Sequence, residues 1–209
     1  MFSRPALLSV LLILAQSIAS PQEPKIAATQ SPRFDRGAYA SDTYSNDCLG
    51  FSFHMPAGWL AKSQGINGPA RAIHQQGGGL GLLMIEQPKQ GTFGNTITLY
   101  ATEAKDQTPQ EFVSKAVQAQ IKRAPGKSQL LRDATVVEYG DRKFFRSDYS
   151  AALPYGGHSA YRSLVFTRFR NYFIGEMVST GSEEELNHAV DSLRGISFLA
   201  DTPNPSCEK

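Results

Sequence analysis

Residues 161–180 read YRSLVFTRF-RN-YFIGEMVST. Two runs rich in aromatic and β-branched residues flank a polar dipeptide, and that pattern predicts a hairpin with strands Tyr161–Phe169 and Tyr172–Thr180. Arg170-Asn171 forms the tight turn, with Asn171 as the residue that tolerates positive φ. Along the first strand Tyr161, Val165 and Phe169 fall on one face, and Leu164 and Phe166 on the other. A strand that is apolar on both faces belongs inside a layered fold rather than at a solvated surface.

The neighbouring segments fit that frame. Before the hairpin, Thr135–Tyr139 and Arg142–Ala151 flank Gly140-Asp141, where glycine in first place suits a type II′ turn. After it, Ser182-Glu183-Glu184-Glu185 forms a capping box with an acidic first turn. Leu186, Ala189, Val190 and Leu193 continue at helical spacing until Gly195, and Ile196–Phe198 reads as a short closing strand. Upstream, Phe51–Met55 alternates as a half-buried strand and stops at Pro56-Ala57-Gly58, with Trp59 beyond the turn. Arg71–Gln75, Leu80–Glu86 and Thr96–Thr102 are further strands. Thr108-Pro109-Gln110-Glu111 opens a first helix with a capping box and proline at its first position, and Phe112, Val113, Ala116, Val117 and Ile121 form its apolar stripe up to Pro125-Gly126. Strands, helix, strand meander, helix is an α+β order: a mainly antiparallel sheet with helices packed on it.

The chain of 209 residues is 41% hydrophobic and 19% charged, and is long enough to bury a core without metals. Its net charge of +2 gives no reason to expect nucleic acid as a partner. At the N-terminus Arg4 precedes the apolar run Ala6–Ala15, and Ser17-Ile18-Ala19 offers small residues for cleavage after Ala19. Residues 1–19 therefore read as a signal peptide, because the run is shorter than the ~20 residues that span a bilayer. No later segment is long enough to span either, so the processed chain is expected to be soluble, in the periplasm or outside the cell. Residues 20–43, with three prolines and no hydrophobic period, read as a flexible linker. Residues 44–199 form the domain and 200–209 a tail. Two cysteines, Cys48 and Cys207, stand at the domain's edges. Export favours a disulfide between them, worth about 5 kcal/mol at most in the chain-entropy model; two free thiols are the alternative.

The opening residues Tyr44-Ser45-Asn46, Leu49-Gly50-Phe51-Ser52-Phe53 and Pro56-Ala57-Gly58-Trp59 resemble the start of PsbP-like domains. The close, a long hairpin, a Glu-rich helix over 182–194 and then Gly195-Ile196-Ser197-Phe198, is similar too. The resemblance spans residues 44–199, in layout more than in letters through the middle. That superfamily includes the extrinsic PsbP subunit of photosystem II, a Ran-binding import factor and small bacterial exported proteins. The resemblance implies an α/β/α sandwich acting as a binding or assembly module, with no shared enzymatic centre. The matching positions are core and turn positions, so no binding residue is carried over.

The chemistry-bearing residues are sparse. No Gly-x-Ser-x-Gly elbow exists, and His54, His74, His158 and His188 are scattered as solvated histidines are. Ser206-Cys207-Glu208-Lys209 lacks a helix to hold a Ser-x-x-Lys pair. The glycines of 77–81 lack the Lys-Ser/Thr of a phosphate loop. No His, Cys or carboxylate spacing fits a metal, and no cofactor is expected. The one cluster is basic: Arg142, Lys143, Arg146, Arg162, Arg168 and Arg170 lie on the two hairpins. If the register brings Arg146, Arg162 and Arg168 to one face, they bind a small anionic ligand, with Tyr155 from the connecting loop beside them. The alternative is a charged edge that discourages strand-to-strand aggregation. The expected role is a non-enzymatic binding or accessory protein for an envelope protein or small anion; a hydrolase with an unrecognised site and a purely structural envelope protein are the alternatives.

Overall fold

The computed structural model describes residues 37–62, 80–88, 94–124, 126–153 and 159–199. The signal peptide, the Arg71–Gln75 strand, Tyr155, His74, His158 and Cys207 lie outside them. In chain order the elements are β1 (Ala38–Ala40), β2 (Thr43–Asn46), β3 (Phe51–His54), β4 (Leu60–Ala61), β5 (Leu80–Gln87), β6 (Asn95–Glu103), α1 (Pro109–Arg123), β7 (Ser128–Tyr139), β8 (Arg142–Ala152), β9 (Ser159–Phe169), β10 (Tyr172–Thr180), α2 (Glu183–Val190), a 3₁₀ turn (Asp191–Gly195) and β11 (Ile196–Phe198).

A seven-stranded sheet runs β4-β5-β6-β10-β9-β8-β7, antiparallel at every pairing. One of its faces carries α1: Tyr100, Tyr149, Leu164, Phe166 and Phe173 pack there with Val113 and Val117. The other face carries α2 and a four-stranded sheet, β1-β2-β3-β11, through Val165, Phe169, Ile174 and Val178 against Phe51, Phe53, Leu186 and Leu193. The central hairpin is covered on both sides, as the alternation along 161–169 predicts. Each fully buried phenylalanine here contributes about 1.5–3 kcal/mol. Phe112 of α1 lies 4.7 Å from Phe173 and 5.2 Å, edge-on, from Phe166. Gly175 makes that packing possible, since a Cβ there would meet the Val165 carbonyl and lie 2.8 Å from the Phe166 ring.

Local chemistry sets the helix ends. Thr108 accepts the Glu111 N–H, and Glu111 accepts the Thr108 N–H in return. Those bonds hold the Glu111 carboxyl below its usual range. Ser182 accepts the Glu185 N–H at the head of α2. That helix is shorter than the periodicity predicts: it gives way after Val190 to the 3₁₀ turn, which carries Leu193 into the core.

Two readings need correction. Ala38–Ala40, inside the stretch read as linker, pair as a strand with Thr43–Ser45 around a left-handed Ser41. In the 170–171 turn the positive φ falls on Arg170 (53°), not Asn171. It takes the place that Gly140 (63°) takes in the preceding hairpin, at about 1–2 kcal/mol for a residue with a Cβ. The Arg170 guanidinium, 4.9 Å from the Phe169 ring centroid, helps to hold it there.

Candidate functional site

The register divides the arginines that the sequence groups together. Arg146 pairs with Val165, whose side chain lies in the α2 layer. Arg162 and Arg168 stand two residues from Leu164 and Phe166 and so share the α1 face with them. Arg146 is 7% exposed. Its Nε donates to Asp148 Oδ1 at 2.8 Å and its Nη2 to Asn187 Oδ1 at 2.7 Å, while Arg132 Nε holds the other Asp148 oxygen at 2.9 Å. Arg146 is therefore a structural clamp between sheet and helix. Arg168 is exposed and donates at 3.5 Å to the Arg170 carbonyl. Arg162 stands in register between Tyr149 and Ser179. The Tyr149 hydroxyl, Arg162 Nε and Ser179 hydroxyl are all buried without a hydrogen-bond partner.

Beneath α2 lies a buried acid that the sequence reading passes over. Glu176 is wholly buried in the apolar run of β10, and that lone charge among apolar residues was its available signal. Ser192 donates to its Oε2 at 3.3 Å, and its Oε1 has no partner. Burial pushes the Glu176 carboxyl well above the carboxylate range; the Ser192 bond and the Arg146 charge pull the other way. Nearby, Tyr139 donates to the Val190 carbonyl at 3.3 Å. Burial first, and the Glu176 charge second, push its phenol up to about 12.

Two of the cavities lined by described residues open on this side of the sheet. The larger, about 580 Å³, runs along α2: Pro56, Trp59, Pro88 and Ala189 form apolar wall, and Asn95 and His188 are among its polar residues. Asn95 is 3% exposed; its amide donates to Gln87 Oε1 at 3.1 Å, and its Oδ1 has no partner. Ser192 lines the same groove and connects it to Glu176. The smaller cavity, about 360 Å³, lies at the β7–β8 turn, where Arg142, Arg194, Tyr139, Ser197 and Phe198 meet. Among the described residues no three of His, Cys, Asp and Glu gather as a metal site would require. No helix there is long and apolar enough to cross a membrane.

Placed against known proteins, the chain matches no protein-family model and no curated protein sequence. Solved structures do match. Cyanobacterial PsbP from Synechocystis sp. PCC 6803 superposes with a TM-score of 0.51 at 13% identity, over 75% of this chain and 91% of that one. LpqN of Mycobacterium tuberculosis, involved in cell envelope biogenesis, gives 0.47 at 15% identity, over 71% and 83%. The Saccharomyces cerevisiae Ran-binding protein Mog1p gives 0.46 at 10% identity, over 72% and 90%. The chain has the PsbP-like α+β fold.

Proposed function

We propose that this chain is an exported, non-enzymatic binding or accessory protein whose partner sits in the groove along α2. The observation that carries this reading is the groove itself: an aromatic and proline wall beside Asn95, a nearly buried amide whose carbonyl has no hydrogen-bond partner. Apolar walls with a few placed polar groups are how binding sites gain affinity and orientation, and an unmatched buried carbonyl favours a ligand that donates to it. Trp59 is the chain's single tryptophan and lines the groove, so its emission reports occupancy. A photo-crosslinker at position 188 is expected to trap a discrete envelope partner and to shift Trp59 emission, whereas one at exposed position 168 on the opposite face traps none. Equal labelling from both positions refutes the reading.

His188 and Ser192 line one groove, which is the specific support for a hydrolase. Ser192 donates to Glu176, however, and His188 has no hydrogen-bond partner to orient it. Hydrolysis of a screened ester that disappears on His188→Ala would favour the enzyme.

Export rests on the three-part pattern of residues 1–19. The Cys48–Cys207 bridge gains support from the end of the fold: the Leu199 N–H donates to the Gly50 carbonyl at 2.8 Å, two residues from Cys48. Eight residues, 200–207, reach at most ~29 Å when extended, ample for a return to Cys48 from a start beside Gly50. Protein produced with its own leader and taken from the periplasm is expected to lack residues 1–19, to weigh two hydrogens less than the reduced chain, and to resist thiol alkylation until reduced. A chain retained in the cytosol with residues 1–19 intact overturns export, and two reactive thiols overturn the bridge.

A further inference from the structure

We propose that the smaller cavity, at the β7–β8 turn, is a site for a small organic oxyanion, a carboxylate or phosphoryl group on a compact ligand, with Arg142 as its principal donor. The site is distinct from the groove along α2 and does not depend on it. Arg142 projects from β8 into the α2 layer, and its guanidinium carbon lies 4.3 Å from the Phe198 ring centroid and 4.9 Å from that of Phe169. Those rings stand 4.7 Å apart and are tilted by 47°, so they hold the guanidinium from two directions. A guanidinium contacts rings through its face and hydrogen-bonds through its edge, so the contacts that orient it leave its N–H groups free.

The Arg142 side chain makes no hydrogen bond and no ion pair, although the residue is half-buried and its neighbours are apolar rings. Arginines with a structural task here are engaged: Arg146 holds Asp148 and Asn187, and Arg132 holds Asp148. Arg142 instead lines an open cavity that Arg194 also lines. Arg194 sits over Tyr139 at 6.0 Å, and its one ion pair, with Asp191 at 3.6 Å, joins two exposed side chains. Such a pair is weak and readily exchanged. Ser197 adds an exposed hydroxyl to the lining, and Asp141 is the only carboxylate among its described residues.

Two guanidiniums and a hydroxyl around aromatic walls suit an anion with an apolar body: the fork takes two oxygens side by side, and the rings cover the rest. Size selects a small molecule over a protein surface, since about 360 Å³ lies at the lower end of the range for ligand pockets. The competing explanation is that Arg142 only lays its aliphatic stem and charge over Phe198 as a cover for the core.

The test uses the full mature chain, with sodium benzoate and sodium phosphate as probes against sodium chloride at equal ionic strength, read by the arginine Nε–H resonances. A saturable shift of the Arg142 signal is expected with at least one probe. Benzoate alone assigns a carboxylate, and phosphate alone a phosphoryl group. Arg142→Gln, followed on the Arg194 signal from the same cavity, is expected to weaken binding at least fivefold, while Arg168→Gln, an exposed arginine on the opposite face, leaves it unchanged. No saturable shift with either probe overturns the proposal, and so does a loss below fivefold in Arg142→Gln. Should that variant fail to fold, Arg194→Gln decides: its side chain is 71% exposed and its removal leaves the core intact. A threefold or greater loss then supports the site, and a smaller one overturns it.

Discussion

Replacing Arg146 by alanine is expected to lower the unfolding free energy by about 3–5 kcal/mol, the scale of breaking a buried ion pair by removing one partner. Asp148 is the reason. Its side chain is 3% exposed and receives two guanidiniums, Arg146 at 2.8 Å and Arg132 at 2.9 Å. The two contacts are not equivalent. Arg132 is 42% exposed, so solvent already screens its pairing and replaces it when it is removed; Arg132→Ala is expected to lose no more than about 1 kcal/mol. Arg146 is inside, and its removal strands Asp148, leaves the Asn187 carbonyl without its donor and takes away a positive charge that faces Glu176. Urea unfolding at neutral pH, with the slope against denaturant compared between variants, measures each loss. The double replacement Arg146→Met with Asp148→Leu is expected to recover most of the stability, because the cost lies in the uncompensated charge rather than in the missing contact. If Arg146→Ala loses under 1 kcal/mol, Arg132 alone suffices for Asp148 and the clamp assignment is wrong.

Glu176→Gln is expected to stabilise the protein at neutral and higher pH and to change little at acid pH. The folded protein holds the Glu176 proton to a pH well above the ordinary value of 4.5, with burial as the leading cause. The stability this protonated acid contributes is present in full below 4.5. It is lost as pH rises from there through the raised folded value, since the unfolded chain gives up the proton first. The groups facing the carboxyl are Ser192, Arg146 and the Tyr139 phenol; Arg146 and Ser192 moderate the shift without reversing it. Glutamine has the shape of the protonated acid and no charge to bury, so the gain is roughly 1–3 kcal/mol, the scale of an unmatched buried polar group. Paired melts at pH 4.5 and pH 8 should show the two proteins alike at the lower pH and apart at the higher. Parallel curves at both would mean that Glu176 reaches solvent or a stronger partner in the folded state.

Much of the architecture was legible in residues close together in the chain. The capping residues Thr108 and Ser182, the glycine-led turn at 140, and the double-sided strand 161–169 each act over a few positions, and each sits where it was read. Arg170 shows where local propensity fails. Asparagine is the better left-handed residue, but the turn takes its positive φ at the first position, and the position outranks the preference. The binding surfaces were far less legible. Trp59 and His188, more than a hundred residues apart, line one groove, and Arg142 of the seven-stranded sheet meets Phe198 of the four-stranded one.

By itself the sequence determined that this is an α+β chain with two helices and a meander of antiparallel strands, because those follow from periodicity, caps and turns that act locally; the PsbP-like layout came from the resemblance of its opening and closing motifs. Only the tertiary structure decided which arginine is buried and which is free. Side chains alternate faces along every strand, so a single step of register exchanges the two layers. That step is set by how the hairpins pair in the sheet, and not by the spacing of charges along the chain.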